Sequence, residues 1–187
     1  VMSQVYEKYG QEKTAEIADN LKDLAFEFAT MSGLSMGMSD FADLKDLDSI
    51  IESGEVRSKK VSEQYEAGFM TNEERYRLTV ETWMDVDEQI QNSLAQQATT
   101  DSSSMNIALV SGARGNIGQV KQIVGSLGVV SDATGRAIEL PIRSNYKNGL
   151  QPLEYFTATR GARKGMIDTA LKTADSGYLT RRLVDVS

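Results

Sequence analysis

The sequence has no cysteine and no histidine, and its 187 residues include only two prolines and one tryptophan. These absences exclude disulfides, a thiolate nucleophile, an imidazole general acid or base, and a zinc site of the usual kind. No apolar run approaches the roughly 18 residues that a membrane-spanning helix needs, and the first residues lack the pattern of a signal peptide. The sequence therefore predicts no membrane partner, and the lack of cysteine is consistent with a cytoplasmic protein.

Hydrophobic residues make up 40% of the chain and charged residues 25%, which is enough apolar material for a packed core. The net charge of −7 is distributed unevenly. Residues 111–187 hold 11 Lys/Arg and 6 Asp/Glu, a net charge of +5, which leaves −12 for residues 1–110. This asymmetry favours either an acidic half beside a basic partner and a basic half near phosphates, or an ordinary acidic protein with unevenly charged helices.

The spacing of apolar residues predicts a mainly α fold. Residues 11–31 place Ile17, Leu21, Leu24 and Phe28 at helical spacing. The glycine- and serine-rich stretch 31–39 then predicts a loop.

Residues 44–97 predict a long antiparallel helical hairpin. Each arm carries an apolar stripe at heptad spacing. The first stripe consists of Leu47, Ile51, Val61 and Tyr65, and the second of Tyr76, Val80, Trp83, Ile90 and Leu94, with Asp87 interrupting it. Between the arms, Gly68 suits the left-handed position that ends a helix, and Thr71 with Glu74 has the pattern of a capping box.

The second half of the chain predicts an irregular region with minor β structure, followed by a long C-terminal helix. Its segments are a polar linker at 96–104, a loop at 111–118 leading into a short helix, a turn at 131–135, a short edge strand at 137–142, and a helix from Pro152 to 187. We divide the chain into an N-terminal helical segment, the hairpin, a linker with a short helix, a loop region and the last helix, at residues 1–43, 44–97, 98–110, 111–150 and 151–187.

Two segments before the last helix have the composition of binding surfaces. The run Ser111-Gly-Ala-Arg-Gly-Asn-Ile-Gly118 is typical of a loop whose amides and arginine approach a phosphate, and equally of a tight turn with a structural arginine. It lacks the ending of a P-loop. The acidic hairpin tip is either a docking platform for basic proteins or a solvated coiled-coil surface, and its carboxylates lack the convergence that a metal site needs.

The last helix combines glycines, small residues and cations. Gly161, Gly165 and Gly177 each cost roughly 1 kcal/mol relative to alanine in a helix. Small residues beside cations favour close packing against nucleic acid or a nucleotide base. The alternative is a core helix with a small-residue packing face, which leaves the excess of glycine and positive charge without a reason.

Several short motifs follow one another in order from about residue 105 to the end of the chain. They are Ser111-Gly-Ala-Arg-Gly-Asn, Pro141-Ile-x-Ser-Asn, Gly149-Leu, Tyr155-Phe, Gly161-Ala-Arg-Lys-Gly and the run from Thr169 to Val186. Together they resemble the β′ subunit of bacterial multisubunit RNA polymerase. A looser match reaches back through Gly68, Glu74-Arg-Tyr and Trp83, so the resemblance covers essentially the whole chain.

The resemblance implies a role for each segment in nucleotidyl transfer from nucleoside triphosphates to a growing RNA. The hairpin is similar to the rim helices of the secondary channel, with Glu74, Arg77 and Glu81 on the surface where transcription factors dock. Residues 111–150 resemble the active-site border that includes the F-loop, and Arg114 matches an arginine that reaches the phosphates of the incoming nucleotide.

Residues 152–187 resemble the bridge helix, which supports translocation beside the template base. Implied positions near the template base and nucleotide are Lys172, Thr173, Ala174 and Tyr178. Arg181 and Arg182 match the cationic end near nucleic acid, and the glycines at 161, 165 and 177 match a helix that bends.

The sequence departs from the family's pattern at three places. Val124-Gly-Ser-Leu-Gly128 lacks the usual Met-Arg, Arg77 stands where a neutral residue is common, and the linker 96–104 is unusually rich in serine and threonine. The family's magnesium-binding Asn-Ala-Asp-Phe-Asp-Gly-Asp motif and its histidine-bearing trigger loop are also absent from this sequence.

We therefore expect an internal piece of a longer subunit, without catalytic residues, metal site or cofactor of its own, and inactive when isolated. Mg²⁺ belongs to the parent enzyme, and the missing C-terminal helix-stop signal at Ser187 agrees with truncation. The implied partners are other polymerase subunits, template DNA and RNA, nucleoside triphosphates and secondary-channel factors, in the cytoplasm. The alternative is a freestanding helical interaction protein whose coiled-coil hairpin is its whole function.

Overall fold

The computed structural model describes residues 2–100 and 103–187 and confirms a mainly helical fold. Over these residues the chain forms six α-helices: α1 Met2–Ser32, α2 Leu47–Glu66, α3 Asn72–Thr100, α4 Ser104–Val110, α5 Ile117–Val124 and α6 Pro152–Val186. A single 3-10 turn spans Met38–Asp40. The chain divides into two compact units, one ending at Gly37 and one beginning at Met38.

The first unit is α1, and it is two helical pieces rather than one. Gly10 lies inside it with φ 77° and ψ 179°, which breaks the helical backbone. The predicted helix at 11–31 is therefore confirmed, and a further helical piece precedes it. The predicted loop at 31–39 begins where α1 ends at Ser32, but its last two residues belong to the 3-10 turn.

The predicted antiparallel hairpin is formed by α2 and α3. Gly54 of α2 packs against the side chains of Trp83 and Val86, so closely that a β-carbon would lie 2.7 Å from Val86 Cγ2. The turn follows the sequence signals: Gly68 has φ 80°, the Thr71 amide donates to Glu74 at 2.9 Å, and the Glu74 amide donates to the Thr71 hydroxyl at 3.3 Å.

The core joins α3 to the helices that follow it. Its buried members are Leu44, Trp83, Val86, Ile90, Leu94, Met105, Val120 and Val124. The stripe predicted on α3 supplied Trp83, Ile90 and Leu94. Tyr65, from the stripe predicted on α2, is 40% exposed and lies under the Arg75 guanidinium. Asp87 does not interrupt the packing, because Lys121 pairs with it at 3.0 Å.

Two predictions about irregular regions are wrong in part. The linker expected from Gln96 is helical as far as Thr100, because Ala98 is buried and the packing of α3 continues past Leu94. Residues 101 and 102 of that linker lie outside the described residues.

The strand expected at 137–142 is reduced to two isolated antiparallel bridges, Gly128 with Ile142 and Ser131 with Ala137. Pro141 has no amide to donate between the bridges, so a continuous ladder does not form.

The last helix begins as predicted at Pro152, with a capping box formed by Gln151 and Glu154. Its 35 residues correspond to a length of about 52 Å. Glu154 and Thr157 are its buried residues, both within its first two turns. Beyond them α6 projects with its side chains mostly exposed.

Candidate nucleic-acid interface and docking surface

The C-terminal half of α6 presents every predicted contact residue at the surface of the chain. All side chains from Thr169 to Ser187 are exposed, including Lys172, Thr173 and Ala174. The Thr173 hydroxyl donates to the Thr169 carbonyl at 2.7 Å, which folds this small side chain back along the helix. The Thr173 and Ala174 side chains that follow Lys172 are thus short and exposed.

Cations and apolar groups alternate around the same half of α6. The Arg182 guanidinium lies 5.7 Å from the centre of the Tyr178 ring, and Arg181 pairs with Asp185 at 3.8 Å while both stay largely exposed. Exposed large apolar side chains share this surface: Met166, Ile167, Leu171, Tyr178, Leu179, Leu183, Val184 and Val186. An exposed apolar surface of this extent is typical of an interaction site.

The three glycines predicted as hinges have different surroundings. At Gly165 and Gly177 a β-carbon would meet open space, whereas at Gly161 it would collide with the Val130 side chain. The helix runs without interruption through all three positions. Bending at these glycines therefore stays a prediction, and Gly161 has a packing reason of its own.

Arg114 lies on the exposed turn between α4 and α5. Gly112 and Gly115 on either side of it have φ 71° and 82°. The amides of residues 112, 113, 114 and 116 all donate within the chain. Because these amides are occupied, the Arg114 guanidinium is the better candidate for binding an anion than an open nest of backbone amides.

The predicted docking residues Glu74, Arg77 and Glu81 are brought onto one face of α3 by their helical spacing. A surface groove at the hairpin tip is lined by Thr71, Glu73, Glu74, Tyr76 and Arg77. The Thr71 amide and hydroxyl, with the nearby Arg77 charge, hold the pKa of Glu74 below its usual value. Glu74 is therefore ionised, and its carboxylate also completes the capping box with Thr71. Arg77 and Glu81 are exposed and take no part in the capping box.

Sequence reasoning missed the side chains that attach the hairpin to the region before α6. Arg75 donates two hydrogen bonds to Glu139, at 2.7 and 3.1 Å, and these bonds raise the pKa of Arg75. The Tyr76 hydroxyl donates to the Ala137 carbonyl at 3.0 Å. In both pairs, Arg75 with Glu139 and Tyr76 with Ala137, the two residues are more than 60 positions apart in the chain. No local sequence pattern marks such a pair.

A second attachment also escaped prediction. The ion pair of Asp87 and Lys121 is nearly buried, with side chains 19% and 8% exposed. The Ser126 hydroxyl donates to the same carboxylate at 3.2 Å. A charged residue inside an apolar stripe was the available signal, because such a residue needs a partner when it is buried.

The described residues contain no group of three or more His, Cys, Asp or Glu side chains arranged to hold a metal ion. The donors that these residues provide do not form the Mg²⁺ site that the resemblance implies for the parent enzyme. Among the described helices, none combines the length and apolar character needed to cross a membrane.

Comparisons with known proteins identify the class. Models of three RNA polymerase Rpb1 domains match the chain: domain 3 at residues 1–41, domain 4 at 68–161 and domain 5 at 149–187. The helical architecture and these matches define a segment of a multisubunit RNA polymerase.

Curated relatives specify the subunit. The chain is 44% identical over 183 residues to the DNA-directed RNA polymerase subunit β′ of Thermosipho africanus, covering 97% of the chain and 11% of that subunit. It is 43% identical over 187 residues to the β′ subunit of Symbiobacterium thermophilum, covering 100% of the chain and 16% of the subunit. The chain belongs to the RNA polymerase β′ (Rpb1) family, which confirms the resemblance, and it spans between a tenth and a sixth of the length of these relatives.

Proposed function

We propose that this chain is the part of a DNA-directed RNA polymerase that holds the incoming nucleotide and the template base in place during nucleotide addition and translocation. The observation that carries the proposal is the state of α6. This helix lies wholly within the match to Rpb1 domain 5, yet all of its side chains from Thr169 onward are exposed. An exposed helix that carries so many apolar and cationic side chains needs nucleic acid or other parts of a protein to cover it.

The chemistry of α6 fits nucleic acid on one side and protein on another. Lys172, Arg181 and Arg182 supply cations for phosphate contacts. Thr173 and Ala174 leave space for a base to approach the helix, and Tyr178 offers a ring for stacking. The exposed leucines and valines of the same helix suit packing against other polymerase subunits or other parts of β′.

Arg114 is proposed to contact the phosphates of the incoming nucleoside triphosphate. Two observations support this role. Arg114 lies on an exposed turn, and the backbone amides around it already donate hydrogen bonds within the chain, so the guanidinium is the group left to bind an anion. Arginine binds phosphate oxygens through two parallel hydrogen bonds, which suits this role.

The hairpin tip is proposed as a docking surface for transcription factors of the secondary channel. The groove beside Glu74 and Arg77 and the exposed carboxylate of Glu81 support it. The described residues provide no metal site, so we assign the Mg²⁺ of nucleotidyl transfer to residues outside this chain. The isolated chain should accordingly extend no RNA.

The test is Lys172→Ala in a polymerase assembled with the β′ subunit that carries this segment. Loss of a charged contact to the template or nucleotide should lower the rate of nucleotide addition by about tenfold, the effect of roughly 1.4 kcal/mol of lost transition-state stabilisation. Lys59→Ala, on the exposed face of α2, is the matched control and should leave the rate unchanged.

Membership of the polymerase family argues against the alternative of a freestanding interaction protein. One outcome of this experiment would overturn the proposal. If nucleotide addition by the assembled polymerase is the same with Lys172→Ala as with Lys59→Ala, α6 has no part in positioning and the proposal fails.

A further inference from the structure

Residues 111–116, which we call the arginine turn, join α4 to α5 and carry Arg114. All of them are exposed, and none has a large apolar side chain, so burial does not fix the shape of the turn. The helices on either side are anchored, because Ala108 of α4 and Val120 of α5 are buried. The shape of the arginine turn therefore depends on hydrogen bonds to these two helices.

The first half of the arginine turn is bonded to α4. The Ser111 hydroxyl donates to the Ala108 carbonyl at 3.1 Å and accepts from the Ala113 amide at 3.4 Å. The Arg114 amide donates to the same Ala108 carbonyl at 3.4 Å. The backbone of Arg114 is thus connected to a buried residue of α4, both directly and through Ser111.

The second half of the arginine turn is bonded to α5. Asn116 Oδ1 accepts from the Gln119 amide at 2.9 Å, and Gln119 Oε1 accepts from the Asn116 amide at 3.2 Å. This reciprocal capping box satisfies two backbone amides at once. The Asn116 carbonyl also accepts from the amide of the buried Val120 at 3.3 Å, so both the side chain and the backbone of Asn116 are fixed to α5.

Two glycines next to Asn116 suit this bonded arrangement. Gly115 has φ 82°, a backbone conformation that lets the chain reverse between Arg114 and Asn116 and that other residues rarely adopt. A β-carbon at Gly118 would lie 3.2 Å from Asn116 Oδ1, closer than most side chains approach. The absence of a side chain at Gly118 therefore leaves room for the capping oxygen.

Arg114 lies between these two bonded ends, and this has a consequence for binding. Ordering the backbone of a free residue costs free energy, and a segment that is ordered before its ligand arrives does not lose that freedom on binding. Orientation matters for arginine in particular, because its planar guanidinium binds phosphate oxygens through two parallel hydrogen bonds. A loosened turn would bind the same ligand through the same group, but more weakly.

We propose that Ser111 and Asn116 are positioning residues for nucleotide binding, and that the arginine turn holds Arg114 ready for the triphosphate before the nucleotide arrives. The inference rests on the proposed contact between Arg114 and the nucleotide phosphates. Neither Ser111 nor Asn116 is proposed to touch the nucleotide, and both act through Arg114.

The first test measures nucleotide addition by a polymerase assembled with the β′ subunit that carries this segment. Asn116→Ala should raise the KM for nucleoside triphosphate by about tenfold and change the maximal rate by less than about twofold, because a contact is weakened equally in the ground state and the transition state. Asn116→Ser keeps an oxygen at the capping position and should retain most of the affinity. If the serine variant is as weak as the alanine variant, the capping bond is not the cause and the inference fails.

Ser111 is tested against a serine in the same local arrangement elsewhere. Ser111→Ala should raise the KM by about threefold, the effect of losing modest hydrogen bonds. Ser53→Ala, on α2, also removes a bond from a serine hydroxyl to the carbonyl three residues earlier, at 2.7 Å, and should leave the KM unchanged. Equal KM values for these two variants would overturn the role of Ser111.

A double variant determines whether Asn116 acts through Arg114. Arg114→Ala should raise the KM by roughly 10–100-fold, the range expected for hydrogen bonds to a charged group. Adding Asn116→Ala to it should cause almost no further increase, because no guanidinium remains to be positioned. A further tenfold increase, as a rough threshold, would mean that Asn116 affects binding by another route, against the proposal.

Hydrogen exchange without nucleotide distinguishes this inference from the proposed function. In the same assembled polymerase, Asn116→Ala should increase exchange at the amides of residues 112–119 by about tenfold. If exchange is unchanged, other contacts hold the turn and the positioning roles fall, while the role of Arg114 stands as long as Arg114→Ala raises the KM. If exchange increases but neither variant changes the KM, Arg114 does not bind the nucleotide, which overturns its proposed role and this inference with it.

Discussion

The two longest helices of the second unit, α3 and α6, differ in how the chain covers them. They have 29 and 35 residues. One face of α3 is buried along its length, from Thr79 to Ala98, against α2, α4 and α5. On α6 the buried residues are Glu154 and Thr157, both near its start. The chain thus provides partners for α3 and leaves most of α6 exposed.

The charges of the two helices show the same contrast. Asp87 on α3 pairs with Lys121 from α5 in a nearly buried position. The ion pairs of α6 join residues one turn apart, as in Lys164 with Asp168 and Arg181 with Asp185. Pairs of that kind contribute only about 0.3–0.5 kcal/mol, so they support the helix without fixing it to anything. We infer that α3 is a structural element and α6 is a contact surface.

The largest expected difference between the two helices is in the effect of truncating an apolar side chain. Ile90→Ala on α3 removes a side chain with no exposed surface and should lower the free energy of unfolding by about 3–4 kcal/mol, through lost burial and a new cavity. Leu171→Ala on α6, where the side chain is 62% exposed, should change it by less than about 0.5 kcal/mol.

Urea denaturation of the 187-residue chain, followed by circular dichroism, measures both effects. A loss of 2 kcal/mol or more for Leu171→Ala, as a rough threshold, would mean that α6 is covered within this chain and would remove the contrast.

A smaller effect is expected from the buried ion pair. Asp87→Ala leaves Lys121, whose side chain is 8% exposed, without its carboxylate and should cost about 2–3 kcal/mol. Asp168→Ala, which removes a pair within α6, should cost less than about 0.5 kcal/mol. The same denaturation experiment compares them, and equal costs would show that the interior position of Asp87 adds nothing to its pairing.

Periodicity and turn chemistry predicted most of the α3 side of this comparison. Heptad spacing located the hairpin and identified Trp83, Ile90 and Leu94 as core residues. Gly68, Thr71 and Pro152 marked helix boundaries because each satisfies a local requirement of the backbone. Signals of this kind depend on neighbours within a few residues, and a single sequence contains them.

What the sequence did not predict depends on partners distant in the chain. Arg75 finds Glu139 and Asp87 finds Lys121 only after folding, and the polar stretch after Gln96 is helical because Ala98 packs into the core. Val86 was missed because the predicted stripe placed an interruption beside it. The roles of Lys172, Arg114 and Glu81 rest on local composition together with the resemblance. They stay predictions, since they concern molecules other than this chain.

The smallest expected effect concerns the one carboxylate that α6 buries, and it depends on pH. Burial alone would raise the pKa of Glu154, but hydrogen bonds from Ser144, Gln151 and Arg143 outweigh it and lower the pKa below the ordinary value of 4.5. A carboxylate with a lowered pKa in the folded state contributes stability that is complete above the pKa of the unfolded chain. That contribution is lost as the pH falls through the folded pKa.

Acid should therefore release the start of α6 before it affects the middle of α3. Below about pH 4.5, hydrogen exchange at the amides of residues 143, 144 and 151, which donate to Glu154, should increase more than exchange at Ile90. Glu154→Gln keeps one acceptor oxygen without the charge, so it should lower stability at neutral pH by about 1 kcal/mol and abolish the acid-dependent part. If the variant keeps the acid-dependent exchange, a carboxylate other than Glu154 attaches the start of α6 to the chain. Glu154 would then not be the reason that acid affects the start of α6 before the middle of α3.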